Sequence, residues 1–389
     1  MGTIGCESGV ATNVVCMPSW YPSDLDPAPG IWAQEHVKAA ALHASVSVLF
    51  AQAVPFGMLI RRQIPLFSDK VENGIRTVRV TFPRTWRPAN VVLYCASYLL
   101  GLIHLRRTFA ASLIHAHSYV PAGLAAVICG QICRLPVVIT EHFTGFARDT
   151  LTRSERAVAR WTMNRAAAVI CVSIDLKEHI ERLGVKTRFW VIPNPVDVDL
   201  IRSRGPTTNP VPKIVCVTNL SAPVKNIPSL VEAFAGLVKK DSICAELHII
   251  GDGPLRREVE ELVGRTGIRE RVVLHGFLSR QELAGVLAGG DLLVIPSLFE
   301  NCPVSLLEAQ VAGLPVVATA VGGIPEVNDP GSGILVEPGN VDALRAGIAE
   351  ALRKLPGVDR VRIRERALGL FSRESVGRQI SEVYVSLLS

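Results

Sequence analysis

The sequence has few aromatic residues and no paired cysteines. Aromatic residues make up 6% of the 389 residues, whereas hydrophobic residues make up 49%. A composition dominated by Ala, Val, Leu and Ile suits alternating strands and helices better than an all-β sandwich. The nine cysteines form no C-x-x-C pair and have no histidine partners at zinc spacing. We therefore expect buried thiols in a reducing compartment, with neither a disulfide nor a metal site.

Signals for membranes and targeting are also missing. No apolar run reaches the length of about 18 residues that a bilayer-spanning helix needs. Residues 1–13 lack the basic and apolar regions of a secretory signal, and Cys6 stands where myristoylation requires Ser or Thr. We expect a cytoplasmic protein, with a peripheral position on the inner face of the cytoplasmic membrane as a further option.

Positive charge is concentrated in the first half of the chain. Residues 1–199 carry 20 Lys and Arg against 14 Asp and Glu, and residues 200–389 carry 21 of each, so the first half holds the net charge of +6. Residues 61–107 alone contain nine basic and two acidic residues. This segment is either an ordinary solvated face or a surface for anionic lipid or an anionic acceptor. No nucleic-acid-binding module accompanies it, so nucleic acid is not an expected partner.

One stretch inside this segment, residues 90–105, carries no formal charge. It is too short to span a membrane. We predict a buried helix here, and the alternative is a helix whose apolar side touches lipid.

The order of apolar and amphipathic segments predicts two domains. Apolar strands alternate with helical stretches up to residue 200, and the same rhythm restarts after the Pro-rich linker 203–212. Such alternation is typical of parallel sheets covered on both faces. We predict an α/β protein of two doubly wound, Rossmann-like domains facing a cleft. The first spans 1–200 with a terminal helix at about 373–389, and the second spans 201–372. Ligands bind such sheets at the carboxyl ends of the strands.

The segment SLFENCPVSLLEAQVAGLPVV places Glu300 and Glu308 around the start of a predicted helix. Pro303 suits the first helical turn. Free N–H groups there attract an anion such as a diphosphate, and carboxylates accept hydrogen bonds from hydroxyls. The pattern fits a nucleoside diphosphate sugar, whereas the alternative is two ordinary surface acids.

Other loops add weaker signals. The turns 251–254 and 321–326 are glycine-rich candidate anion sites, although neither is a dinucleotide or P-loop motif. Lys225 offers a point charge for a phosphate, or is simply solvated. His115 and His117 are interpreted as structural, and so is His142 when it is considered alone.

The longer segment PSLFENCPVSLLEAQVAGLPVVATAVGGIPEV resembles the signature of the family 4 retaining glycosyltransferases, which have the GT-B fold and an E-x7-E motif. PSWYPSDLDPAPGIWAQEH resembles the first loop of a subset with W-Y-P. IHAHSYVPAGLAA, PVVITEH, VIPNPVDVD and IIGDGPLR resemble successive blocks of the family, so the resemblance covers nearly the whole chain. The ending resembles a helix that crosses back to the first domain.

The resemblance implies roles for individual residues. Glu300 would contact the donor sugar, Glu308 the ribose hydroxyls and Lys225 the diphosphate. His142 would lie near the reacting centre, and Gly30 near the phosphates. The implied catalytic residues are Glu300, His142 and Lys225, and the implied donor-binding residues are Glu308, Gly30, Asn219, Gly251, Gly253, Gly276, Phe277, Asn301, Cys302, Pro303 and Val304.

The implied reaction is transfer of a sugar, with retention, from a UDP or GDP type of donor to a lipid-linked or polysaccharide acceptor in cell-surface glycan synthesis. No cofactor or metal is expected, because Lys225 and helix N-termini would stabilise the leaving diphosphate. Two D-x-D segments, 24–26 and 197–199, are not expected to bind metal. The family often has Arg at the position of Asn219 and Gly at that of Pro303. Two alternatives are a non-catalytic nucleotide- or glycan-binding scaffold and a nucleotide-sugar epimerase.

Overall fold

The computed structural model describes residues 12–23, 29–61, 64–202 and 209–389. Cys6, the segment 24–26 and most of the predicted linker therefore lie outside the described residues. The chain divides into two compact units. Unit 1 comprises residues 1–172, 177–192 and 376–389, and unit 2 comprises residues 173–176 and 193–375. The sequence predicted that the first domain extends to residue 200 and also includes a C-terminal helix that starts at about residue 373.

Unit 1 contains an eight-stranded sheet in the order β3-β4-β2-β1-β5-β6-β7-β8. All its neighbours are parallel except β3 and β4, which form an antiparallel hairpin at the edge. Its strands are β1 (Asn13–Pro18), β2 (Ser45–Val54), β3 (Phe67–Glu72), β4 (Ile75–Pro83), β5 (Leu113–His117), β6 (Val137–Glu141), β7 (Ala168–Cys171) and β8 (Arg188–Val191). The helices between them are α1 (Ile31–Ala40), α2 (Phe56–Ile60), α3 (Arg87–Leu105), α4 (Leu124–Cys133), α5 (Arg153–Met163) and α6 (Ile174–Arg182).

Unit 2 contains a fully parallel six-stranded sheet in the order β11-β10-β9-β12-β13-β14. Its strands are β9 (Lys213–Val217), β10 (Glu246–Ile250), β11 (Val272–Gly276), β12 (Leu292–Ile295), β13 (Val316–Thr319) and β14 (Ile334–Val336). The later helices are α7 (Ile227–Lys239), α8 (Arg256–Arg265), α9 (Arg280–Gly289), α10 (Val304–Val311), α11 (Ile324–Val327), α12 (Val341–Lys354), α13 (Arg360–Phe371) and α14 (Arg373–Leu388).

Both sheets confirm the predicted fold of two Rossmann-like α/β domains. Strands β7, β12 and β13 are short and wholly buried, as their apolar sequences require when both faces of a parallel sheet are covered. The helices begin at recognisable signals: Thr152 with Glu155, and Ser279 with Glu282, form capping boxes at the starts of α5 and α9.

Strand order reverses once in each sheet. In unit 1 the chain proceeds from β1 to β2 on one side and later continues through β5 on the other. In unit 2 the same reversal separates β9 from β12. Loops leaving two such neighbouring strands diverge to opposite faces of the sheet. The crevice that they leave at the carboxyl ends is the usual ligand site of this architecture.

The C-terminal helix α14 contributes to the core of unit 1. Val376, Ile380, Val383 and Tyr384 are fully buried in the same cluster as apolar residues of β1, β2 and β5. Gly377 allows close approach, because an added Cβ would lie 2.2 Å from the carbonyl oxygen of Ala39. The structure thus places the end of the chain in the first unit.

Helix α3 contradicts the prediction of a buried helix. One side is buried, including Tyr98, Leu102 and Leu105, but Val92 is 67% exposed and Leu100 is 63% exposed. The uncharged sequence hid this division, because apolar residues occupy both sides. Within the described parts of the chain, no helix is both long and apolar enough to cross a membrane.

Candidate active site

In unit 2, the loops on either side of the strand-order reversal meet. Lys225 follows β9 and Glu300 follows β12, and Lys225 Nζ lies 2.6 Å from Glu300 Oε1. The hydroxyl of Ser297 donates to the same oxygen at 2.8 Å. Two further hydrogen bonds tie the loops together, from Leu298 N to the carbonyl of Val224 and from Asn226 Nδ2 to that of Pro296. The predicted donor-sugar and diphosphate residues are therefore neighbours at the expected crevice.

The glycine turn after β13 supports the Glu300 loop from behind. Gly322 has φ +51°, and an added Cβ would lie 1.7 Å from the carbonyl oxygen of Glu300. Helix α11 after this turn has only four residues, and the Glu326 carboxylate accepts hydrogen bonds from the N–H groups of Ile174 and Asp175. This turn was predicted as a candidate anion site, and the structure shows that Gly322 packs against the loop that carries Glu300.

Helix α10 begins directly after the Glu300 loop. Pro303 is its N-cap residue, one position earlier than the predicted first turn, and makes no side-chain cap. Val304, Ser305 and Glu308 form the accessible side of the helix, whereas Leu306 and Leu307 are buried. Glu308 thus lies one turn along the same face as the first helical N–H groups. Asn301 and Cys302 are 4% and 6% exposed, so both side chains are buried.

The remaining predicted donor residues of unit 2 lie at the carboxyl ends of β9, β10 and β11: Asn219, Gly251, Gly253, Gly276 and Phe277. Gly251 has φ +128°, and an added Cβ would meet the carbonyl oxygen of Thr218 at 1.6 Å, so the loop with Asn219 rests on it. Gly251 N also donates to the carbonyl of Gly276 at 2.8 Å. Gly253 is similarly close to the backbone of Leu220. These glycines bring three loops together at one edge of the sheet.

Phe277 comes directly after β11 and is 72% exposed, so its aromatic face is open to a planar ligand. Beside it, His275 Nε2 lies 2.9 Å from His248 Nδ1, and His248 Nε2 lies 3.3 Å from Glu246. Burial and the neighbouring His248 lower the pKa of His275. Neither His248 nor Glu246 was among the site residues predicted from the sequence.

In unit 1, His142 follows β6 and belongs to a cluster of rings. The ring of Trp32 lies 4.0 Å from that of His142, and the ring of His36 lies 5.0 Å away. His117 Nδ1 lies 3.4 Å from His142 Nε2. Trp32 and His36 are four residues apart on α1, whose N-cap is the predicted residue Gly30 with φ +79°. The structure thus places Gly30 and His142 at the same edge of unit 1.

The cluster extends to the C-terminal helix. His115 Nδ1 lies 2.6 Å from the Tyr384 hydroxyl, and its Nε2 lies 2.6 Å from Thr140 Oγ1, both within hydrogen-bond distance. Its ring stacks on that of His117 at 4.6 Å. Burial lowers the pKa of His115 to about 3 and holds that of His117 well below its usual range, so both rings are neutral. Among the described residues, no group of His, Cys, Asp or Glu could hold a metal ion.

Glu141 fixes the backbone of this cluster. Its carboxylate is completely buried and accepts hydrogen bonds from the N–H groups of Tyr119, His142 and Phe143, each at 2.8 Å. Burial raises its pKa to about 6, although these three donors oppose the shift. Sequence reasoning missed Glu141, His36 and Tyr384. The spacing of His115 and His117, which share one face of β5, was the available signal.

The chain is similar to known glycosyltransferases over most of its length. Residues 41–200 match the family model "Glycosyltransferase Family 4", and residues 211–354 match "Glycosyl transferases group 1". The MMP α-(1→4)-mannosyltransferase of Mycolicibacterium hassiacum is 33% identical, over 94% of this chain and 87% of its own. The 2-deoxystreptamine N-acetyl-D-glucosaminyltransferase of Streptomyces fradiae is 26% identical, over 87% of this chain and 85% of its own.

Solved structures share the fold. Sucrose-phosphate synthase from Thermosynechococcus elongatus superimposes with a TM-score of 0.74 at 20% identity, over 97% of this chain and 99% of its own. Anabaena HepE in complex with UDP also gives 0.74, at 19% identity, over 96% and 100%. The chain is a glycosyltransferase with the GT-B fold. It belongs to the family-4 type, with a Family 4 first domain and a group 1 second domain.

Proposed function

We propose that the protein transfers a sugar, with retention of anomeric configuration, from a nucleoside diphosphate sugar to a lipid-linked or polysaccharide acceptor. The observation that carries this proposal is the contact between Lys225 and Glu300 at the strand-order reversal of unit 2, beside the N-terminus of α10. HepE, solved with UDP-glucose, and the sugar-transferring relatives support a donor of this class.

The Lys225–Glu300 pair suggests how a donor would be received. A diphosphate placed before α10 would compete with Glu300 for the Lys225 ammonium. Its negative charge would also meet the free N–H groups of the helix. The freed carboxylate oxygen could then accept hydrogen bonds from sugar hydroxyls, and Glu308 from those of the ribose.

In the proposed reaction, the bond between the anomeric carbon and the diphosphate breaks through an oxocarbenium-like transition state. The acceptor hydroxyl oxygen forms its bond on the same face of the sugar, and its proton passes to an oxygen of the leaving diphosphate. Lys225 and the start of α10 would stabilise the charge that develops on the leaving diphosphate, which is why we propose that no metal is required. His142 is assigned to the region of the reacting centre. This scheme differs from the paired carboxylates of glycosidases.

The test is release of nucleoside diphosphate from a panel of UDP-, GDP-, ADP- and dTDP-sugars, with and without EDTA. We expect release from one donor type that resists EDTA and disappears in Glu300→Ala. Glu365→Ala is the matched control, because Glu365 is an exposed acid on α13 of the same unit. EDTA sensitivity would contradict the metal-independent part of the proposal.

The alternative is a scaffold that binds nucleotide or glycan without turnover. Its support is Asn219, where the family often has arginine. The Asn219 side chain accepts a hydrogen bond from Ser221 N at 3.4 Å and carries no charge for a phosphate. Binding of UDP or GDP without release from any donor, across an acceptor panel, would favour the scaffold. Turnover lost in Glu300→Ala would exclude it.

A further inference from the structure

The two sides of α3 have different surroundings. Its buried side packs on β2 and β4, so closely at Gly101 that an added Cβ would lie 2.2 Å from Leu49 Cδ1. Its exposed side carries Val92, Ala96, Leu100 and Ile103, whose spacing of four, four and three residues forms one continuous stripe. Val92, Leu100 and Ile103 are 67%, 63% and 48% exposed. The stripe is therefore an apolar face that the described parts of the chain leave uncovered.

Aromatic residues widen this stripe. Trp86, the N-cap residue of α3, is 72% exposed. Phe67 on the edge strand β3 is 43% exposed, and its ring lies 4.7 Å from that of His104 near the end of α3. We call the set comprising Trp86, Val92, Ala96, Leu100, Ile103 and Phe67 the α3 surface.

The sequence around the α3 surface is predominantly basic. From residue 73 to residue 140 the sequence contains no Asp or Glu. Arg84 precedes the surface, Arg106 and Arg107 follow it, and all three are exposed. The nearest acids in the sequence are engaged: Asp69 pairs with Arg76 at 2.7 Å and lies 2.8 Å from His104 of α3, and Glu72 pairs with Arg79 at 2.6 Å.

This charge pattern decides between two possible occupants. A second copy of the chain in a two-fold contact would place this arginine-rich face against the same face, and like charges would oppose the contact. An anionic bilayer offers apolar depth for the stripe and negative headgroups for the arginines. Tryptophan also favours the boundary between headgroups and acyl chains.

We infer that the α3 surface docks on an anionic lipid bilayer, with α3 lying in the plane of the membrane interface. The apolar stripe enters the boundary of the acyl chains, and Arg84, Arg106 and Arg107 contact headgroup phosphates. This inference goes beyond the proposed function. Membrane binding is measured without donor or acceptor, so its failure would leave the sugar transfer unaffected.

The experiment is co-sedimentation of the full chain with vesicles of phosphatidylcholine alone and of the same lipid containing about one third phosphatidylglycerol. We expect binding to the anionic vesicles that weakens as salt is raised. Leu100→Gln with Ile103→Gln should reduce the partition coefficient at least about tenfold. Arg106→Gln with Arg107→Gln should reduce it by a similar factor at low salt and remove the preference for anionic lipid.

The matched control is Leu42→Gln with Val361→Gln, because these residues are 55% and 62% exposed but lie outside the α3 surface. Circular dichroism and thermal unfolding establish that each variant is folded. Equal binding to both lipids, or equal losses in the control and the Leu100/Ile103 variant, would overturn the inference. A concentration-dependent dimer that the Leu100/Ile103 variant abolishes would overturn it in favour of self-association.

Discussion

The two units use the same edge of the same architecture for different chemistry. At the strand-order reversal of unit 2, a lysine and a glutamate lie in contact beside a helix N-terminus. At the corresponding edge of unit 1, the neutral rings of His115 and His117 stack on one another and the ring of His142 lies against Trp32. The adjacent Glu141 carboxylate accepts hydrogen bonds from backbone N–H groups. The fold thus fixes where polar groups gather, and the loop sequences decide whether that place is charged or neutral.

The largest expected effect comes from removing the charge of unit 2. Lys225→Ala should lower kcat/KM for donor consumption by at least about a hundredfold, because the leaving diphosphate loses its nearest cation. Steady-state kinetics with the donor identified by the panel measures it. Lys213→Ala is the control, since Lys213 begins the same strand at the opposite end of the sheet. Similar losses in both variants would remove the proposed role of Lys225.

The histidine cluster of unit 1 is tested with two buried tyrosines. Tyr384→Phe and Tyr98→Phe each delete a hydroxyl that makes a 2.6 Å hydrogen bond, to His115 and to the carbonyl of Pro18. Both variants should lose about 1–3 kcal/mol in the free energy of unfolding. Only Tyr384→Phe should also lower kcat and shift its pH profile, since Tyr384 acts on the cluster that holds His142. Equal kcat values for the two variants would show that the cluster is only structural.

The raised pKa of Glu141 predicts a contribution to the free energy of unfolding of unit 1 that is larger at acidic pH than at neutral pH. Its pKa is raised from 4.5 to about 6, so the folded chain binds this proton more tightly than the unfolded chain. The resulting stability is complete below about pH 4.5 and is lost as the pH rises through 6, and it amounts to about 2 kcal/mol. Denaturant unfolding as a function of pH measures it. Glu141→Gln should lack this component, and an unchanged pH dependence in the variant would refute the assignment.

The smallest effect concerns the exposed aromatic ring of unit 2. Phe277→Ala should weaken binding of the bare nucleotide up to about tenfold, because a base stacked on the ring would lose about 1 kcal/mol. Isothermal titration with UDP and GDP measures the change. Val273→Ala, a 42% exposed position on β11, is the control and should leave the affinity unchanged. An unchanged affinity in Phe277→Ala would place the base elsewhere.

The sequence predicted the alternation of strands and helices, and so the two Rossmann-like domains, because buried parallel strands leave an unmistakable apolar pattern. It also pointed to Glu300 and Lys225, whose loops follow apolar strands. It did not show that these loops flank the same crevice, because the periodicity of apolar residues does not determine the order of strands within a sheet. The sequence of α3 did not show which side of the helix is buried, because every residue between 91 and 103 is uncharged.

The sequence could not predict that His36, His117, His142 and Tyr384 belong to one cluster. These side chains come from four separate elements, and each one alone resembles an ordinary core residue. The register between β5 and β6 brings His117 beside His142, and the return of α14 brings Tyr384 to His115, whose ring stacks on that of His117. Such convergence depends on tertiary structure rather than on local pattern.

The position of α14 has a consequence for biosynthesis. The core of unit 1 includes Ile380 and Tyr384, which leave the ribosome after every residue of unit 2 has been made. Every residue of unit 2 is therefore made before the segment that completes the core of unit 1, the unit whose synthesis began first. Order of synthesis and order of completion are inverted in this chain.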